Sequence, residues 1–203
     1  VEEVALRARA VAEFYEDFTG ALERSGVPVE ITTLPSEVPD PIPFPEDTRH
    51  ASYDPEWVQR FWRALASIDA VMKEHRAPFR GRSTPVNLFW GTFDLALTRY
   101  NGRPAEPHGD GVIMRLSTDA EQICAGWWPG DERVPAPTFF AYAYPKPDGI
   151  EREPGWDDGM GEFLLPYEDV RTAPDPRGTL LDWLARTYEA GARLGGWDEN
   201  LAG

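Results

Sequence analysis

The chain has 203 residues, 41% of them apolar and 12% aromatic, with eight tryptophans, twenty prolines and a formal charge of −15. That length suits one domain with a substantial core, and the proline share is about twice the average. So acidic a surface repels phosphate backbones, and the densest basic run holds only Arg76, Arg80 and Arg82, so no nucleic-acid partner is expected. The single cysteine, Cys124, excludes an internal disulfide and fits a reducing compartment. No signal peptide is visible and no run of eighteen apolar residues exists, so no membrane span and a cytoplasmic location are expected. The sequence starts at Val1 rather than at a methionine, so an N-terminal segment is expected to be missing.

In chain order, Glu2 to Leu6 reads as a short strand. A helix over about 9–24 follows, since Val11, Phe14, Tyr15, Phe18 and Leu22 recur every three or four residues. Val29 to Leu34, β-branched, reads as a strand. Pro35 to Pro45 is an extended crossover packed by Val38, Ile42 and Phe44; its spacing lacks PxxP. Asp54-Pro55 starts a helix that runs to about Arg76, with Trp57, Phe61, Leu65, Ile68 and Met72 facing inward.

Val86 to Trp90 and Phe93 to Tyr100 read as strands, joined by a hairpin or by a bulge within one long strand. Asn101-Gly102 reads as a turn, and 103–112 as a loop. Gln122 to Trp128, Thr138 to Tyr144 and Gly161 to Pro166 are further strands, with a flexible polar loop at 146–159. A last helix, about 176–194, ends at Gly195-Gly196. Strands at 86–100, 122–128 and 138–144 have no helix between them. The pattern predicts a single α+β domain with an antiparallel or mixed sheet and about three packed helices.

No nucleotide-binding, zinc-protease, nucleophile-elbow or CxxC motif is present. The candidate residues are therefore polar groups in unusual surroundings. His50, flanked by Glu46, Asp47 and Asp54, suits a general base or metal ligand, or a local bond that organises its loop. His108 lies in the breaker-rich run Glu106 to Asp110 at a strand end, where sites often sit. His75, in a last helical turn, suits the helix dipole. Asp94 lies in an apolar strand, as a buried ion pair or a pocket carboxylate. Arg99 falls on the opposite face, so Arg103 or Arg82 is the expected partner of Asp94. Cys124 reads as a small packed hydrophobe.

Several longer segments also resemble a bacterial domain family of unknown function, numbered 5996. They are EVPDPIPFPED (37–47), HASYDPE (50–56), FWGTFDLALTRYNGRP (89–104), WWPG (127–130), FFAYAYP (139–145), GEFLLPYEDVR (161–171) and LGGWD (194–198). The resemblance runs through nearly the whole chain and brings no established activity. It implies a further strand-rich N-terminal part, of which Val1 to Leu6 would be the last strand. It also implies histidines where this chain has Asn87 and Ala120, whereas His50 and His108 match.

Together these readings lead to an expected small-molecule site, catalytic or not, where the 86–100 strands, the 103–112 loop and Trp127-Trp128 meet. His50, Asp94 and His108 would converge there as catalytic groups, and Trp90, Arg99, Arg103, Trp127 and Trp128 would bind the ligand. No cofactor is indicated, nor an oligomeric state. Two alternatives stand beside it: an interaction or scaffold domain using the Pro39 to Phe44 surface, and a metalloenzyme drawing ligands from His50, His108, Asp47, Glu106, Asp110 and Glu121.

Overall fold

A computed structural model describes residues 1–36, 38, 40–109 and 112–202. The chain divides into two compact units, residues 1–65 and 66–203. In the first, helix α1 (Val11–Arg24) forms where the apolar stripe predicted it. Its first free N–H groups are taken up by the 47–50 loop: Val11 donates to the His50 carbonyl (3.0 Å) and Ala12 to that of Asp47 (2.9 Å). Phe44 opens a single 3₁₀ turn, Phe44–Glu46, and packs its ring 6.0 Å from that of Tyr15.

Neither predicted N-terminal strand forms. Residues 2–6 and 29–34 carry no strand, and Val29, Ile31 and Leu34 are exposed. Their β-branched side chains suit a sheet, but strand propensity reflects packing on neighbouring strands, and these three side chains are exposed. In the crossover, Ile42 and Phe44 are half-buried as expected, whereas Val38 is exposed. Glu37 and Pro39, part of the expected interaction surface, lie outside the described residues.

Helix α2 (Pro55–Arg76) starts as its sequence dictates. The Asp54 carboxylate accepts the backbone N–H groups of Glu56 (2.8 Å) and Trp57 (3.3 Å), and Pro55 occupies the first helical position. Leu65, Ile68 and Met72 are buried, but Trp57 is 64% exposed, so the predicted inner stripe holds only for the later turns.

The second unit is built on one seven-stranded antiparallel sheet, which is the α+β architecture expected. The strands are β1 (Arg82–Ser83), β2 (Asn87–Phe89), β3 (Asp94–Pro104), β4 (Ala120–Trp128), β5 (Thr138–Tyr144), β6 (Trp156–Asp157) and β7 (Glu162–Pro166). Their order is β1-β3-β4-β5-β7-β6, with β2 also paired to β3. β2 and β3 form a hairpin, Asn87 opposite Ala96 and Phe89 opposite Asp94. Its turn places Phe93 at φ +63°, a conformation non-glycine residues rarely adopt. Asn101-Gly102 is not a turn. β3 continues to Pro104 through a register shift after Tyr100, and Gly102 takes φ +87° there. A bulge and a turn demand the same backbone freedom, so the dipeptide alone does not separate them.

Side chains alternate across the sheet. Leu95, Leu97, Arg99, Ile123, Ala125, Trp127, Phe139 and Ala143 share one face with helix α5 (Pro176–Leu194), whose Asp175 caps it through the Gly178 N–H at 3.0 Å. Contact is close: a Cβ on Gly191 would sit 3.1 Å from Ile123 Cδ1. Ala96, Cys124, Trp128 and Phe140 pack on the other face, under Val134 and Met160. Two short helices complete the unit, α3 (Val112–Ser117) and α4 (Tyr167–Arg171), neither foreseen from sequence. Each is too short to show a periodic stripe. The loop at 146–159, expected to be flexible, is pinned by a 3₁₀ turn with Ile150 fully buried.

Candidate functional site

The sheet face turned away from α5 carries the molecule's unusual polar chemistry. Thr98, Cys124 and Tyr142 lie side by side on three neighbouring strands, because Thr98 is in register with Cys124 and Cys124 with Tyr142. Cys124 is buried and hydrogen-bonds to both hydroxyls. Burial, first of all, raises the thiol pKa to about 11; the two hydrogen bonds lower it less, and the nearby charges of Glu162 and Asp94 add to the rise. The sulfur is therefore a neutral thiol near pH 7 and not a nucleophilic thiolate. The Tyr142 hydroxyl is pushed far above its ordinary range, first by the Cys124 sulfur and then by burial.

Two half-buried carboxyl groups flank this row. Glu162 opens β7, and Asp94 opens β3. Burial raises Glu162 to about 7; Arg133 opposes the rise and the charge of Asp94 adds to it. Arg133 is held in the loop between β4 and β5 by Asp131, through its Nε (3.0 Å) and a terminal nitrogen (2.7 Å). Tyr100 and Tyr144 continue the same face beyond Tyr142 and are also half-buried. Burial is the main cause of a raised Tyr100 pKa, with Cys124 contributing and Arg82 opposing. The result is a sheet face with three accessible tyrosines, a carboxyl group that titrates near neutrality and a second carboxylate within its electrostatic reach.

The predicted residues scatter around this arrangement. Asp94 belongs to it. His108 reaches the far end of the face, its ring 5.3 Å from that of Tyr144 and its backbone N–H bonded to Thr118 Oγ1 (3.0 Å). Leu95 aligns through Trp127 with Phe139, five residues before Tyr144, so Asp94 and His108 stand roughly 17–20 Å apart along the strands. One hydrogen-bonded site does not span that length. Asn87, in register with Ala96, and Ala120, in step with Gln122 and Cys124 along β4, lie on this same face.

His50 belongs to the first unit. Its Nδ1 is 2.8 Å from Asp47 Oδ2, and Asp47 Oδ1 accepts the backbone N–H groups of Arg49 and His50 (3.1 and 3.0 Å). The bond from the His50 N–H is the main reason the buried Asp47 carboxyl stays below its ordinary pKa. His50 thus closes the loop that caps α1.

The predicted tryptophans do not share a surface. Trp127 and Trp128 are neighbours on β4 and so point to opposite faces, both buried. Trp90 is 77% exposed at the hairpin turn. Arg99 is buried on the α5 face, and Arg103 pairs with Glu121 (2.7 Å) and donates to the Gly195 carbonyl (2.7 Å). Arg82 packs over the Tyr100 ring at 5.6 Å. Neither arginine is positioned as the partner expected for Asp94, because both lie toward the other end of β3.

Of the proposed metal ligands, Asp110 lies outside the described residues, and among the described residues no group of three His, Cys, Asp or Glu is placed to hold a metal ion. No helix among the described residues is long and apolar enough to cross a membrane. Sequence reasoning missed Glu162 and Tyr142. The alternation of Thr138 to Tyr144 marked Tyr142 as a sheet residue, but nothing local shows that Glu162 comes within electrostatic reach of a thiol 38 positions earlier.

A family model described as a family of unknown function (DUF5996) matches residues 1–202. No curated protein and no solved structure matches the chain.

Proposed function

Since the chain belongs to the DUF5996 family, whose description assigns no activity, we propose from geometry alone that the polar sheet face binds a small organic molecule. Glu162 serves as its proton donor or acceptor. The observation that carries this reading is the placement of two half-buried carboxyl groups, Asp94 and Glu162, about a neutral row of Thr98, Cys124 and Tyr142. Burial is how a carboxyl group is tuned toward pH 7 for acid–base work, and it is the main cause of the raised pKa of Glu162. Tyr100, Tyr142 and Tyr144 supply flat apolar surface, with hydroxyl groups that orient a polar ligand.

The test is a thermal-shift screen of a small-molecule library on the native chain, on Glu162→Gln and on Tyr142→Phe. Hits that stabilise the native chain and lose at least about tenfold in affinity, or about 1.4 kcal/mol, in both variants support the reading. Hits bound equally by all three proteins would place the ligand elsewhere and overturn it.

A second reading, an interaction module, is favoured by the β2–β3 hairpin, where Leu88, Phe89, Trp90 and Phe93 are all exposed. An apolar cluster of this kind at a loop tip commonly marks contact with another molecule.

A further inference from the structure

A separate groove of about 460 Å³ runs between α5 and β7, on the opposite side of the sheet from the carboxyl face. Its depth has a sequence cause. Thr187 and Ala190 lie between Trp183 and Arg193 on the α5 surface that faces Phe163 and Leu165, so two small residues leave space that large ones would fill. The Arg193–Glu153 ion pair closes one end by tying α5 to the 150–152 turn. The volume lies at the lower end of the range for small-ligand sites.

The rim chemistry narrows the occupant. Arg186 and Glu189 both line the groove, one helical turn apart. Arg186 makes only a 3.3 Å bond to the Asp182 carbonyl of its own helix, and neither side chain forms an ion pair among the described residues. The groove thus offers an apolar floor with one uncommitted cation and one uncommitted anion on the same edge.

A peptide strand is a poor fit for this edge. Leu164 already donates outward to Gly155 (3.0 Å), and the next outward position is Pro166, which has no N–H to extend the sheet.

We propose that this groove binds a small zwitterion with an apolar body, of which a hydrophobic α-amino acid is the simplest form. Arg186 takes the carboxylate, Glu189 takes the ammonium group, and Phe163, Leu165 and Trp183 take the side chain. This site is independent of the Glu162 face.

Calorimetric titration of the full chain with L-phenylalanine, 3-phenylpropanoate, 2-phenylethylamine and 3-phenylpropanol tests it. L-phenylalanine should bind at least about tenfold more tightly than either singly charged probe, and the alcohol most weakly, a tenfold step being about 1.4 kcal/mol. Arg186→Gln should weaken L-phenylalanine and phenylpropanoate and spare phenylethylamine; Glu189→Gln should weaken L-phenylalanine and phenylethylamine and spare phenylpropanoate. Both substitutions are on the surface, so folding is not at risk. If the alcohol binds as tightly as L-phenylalanine, the charge assignment is overturned and a merely apolar groove remains. If no probe binds at millimolar concentration, the whole proposal falls.

Discussion

Arg99 shows how one residue's role depends on what folds around it. It is only 4% exposed, its guanidinium 4.5 Å from the Tyr188 ring centre and 5.1 Å from that of Phe79. It donates to the His75 carbonyl at the C-terminal end of α2, where a cation meets the negative end of the helix dipole. Burial lowers its pKa to about 10, so it stays charged near pH 7. The void beside it is about 10 Å³, room for one water at most, which makes Arg99 a packing element and not a ligand anchor. The His75 imidazole is lowered to about 3, mainly by burial and then by the Arg99 charge. Arg99→Met should cost about 1–3 kcal/mol by leaving a buried carbonyl without its donor. The same change should raise the His75 titration midpoint, because one of its two depressing causes is gone. Denaturant melts and histidine NMR titration read the two effects; an unmoved His75 would rule out the electrostatic link.

Among the elements, the 146–159 segment departs furthest from its composition. Its polar, glycine- and proline-bearing sequence suggests mobility, yet Gly149 at φ +88° turns the chain so that Ile150 inserts fully into the core. One buried aliphatic side chain contributes about 1.5–3 kcal/mol, which offsets the ordering entropy of only one or two residues of the turn. Ile150→Ala should therefore cost about 2–5 kcal/mol. It should also raise hydrogen exchange in residues 146–159. Destabilisation below 1 kcal/mol would mean that the turn is held by its backbone hydrogen bonds instead. The segment at 29–34 gives the opposite case, high β propensity and no strand. Local preference weighs less than the presence of something to pack against.

For the whole molecule, two half-buried groups set opposite pH slopes. The unfolded chain protonates His75 below the ordinary imidazole value of 6.5, while the folded chain resists until about 3. That stability is present above pH 6.5 and is lost as pH falls toward 3. Glu162 behaves inversely. The folded chain holds its proton up to about pH 7 and the unfolded chain releases it near 4.5, so stability falls as pH rises through that window. Between about pH 4.5 and 6.5 the two slopes oppose each other. Glu162→Gln removes only the second. Its melting temperature relative to the native chain should therefore climb from pH 4.5 to 7 and level off above. A difference that stays constant across pH 4–8 would show that Glu162 titrates as an ordinary exposed carboxylate.

The sequence by itself determined the α+β class, the two long helices, the Asp54 cap of the second, the terminal helix and the three central strands. These follow from local periodicity, capping chemistry and β-branched or aromatic content, all written within about twenty residues. It also singled out Asp94 as a charge in an apolar strand, and the structure places that carboxylate on the polar face. Only the tertiary structure decided which groups accompany it. Register across β3, β4 and β5 aligns Thr98, Cys124 and Tyr142, and β7 brings Glu162 to them. The same register separates Asp94 from His108 by the length of a strand, although both had been expected at one site. Pairing between distant strands is a cooperative property of the folded sheet, and no local pattern encodes which residue of one strand faces which of the next.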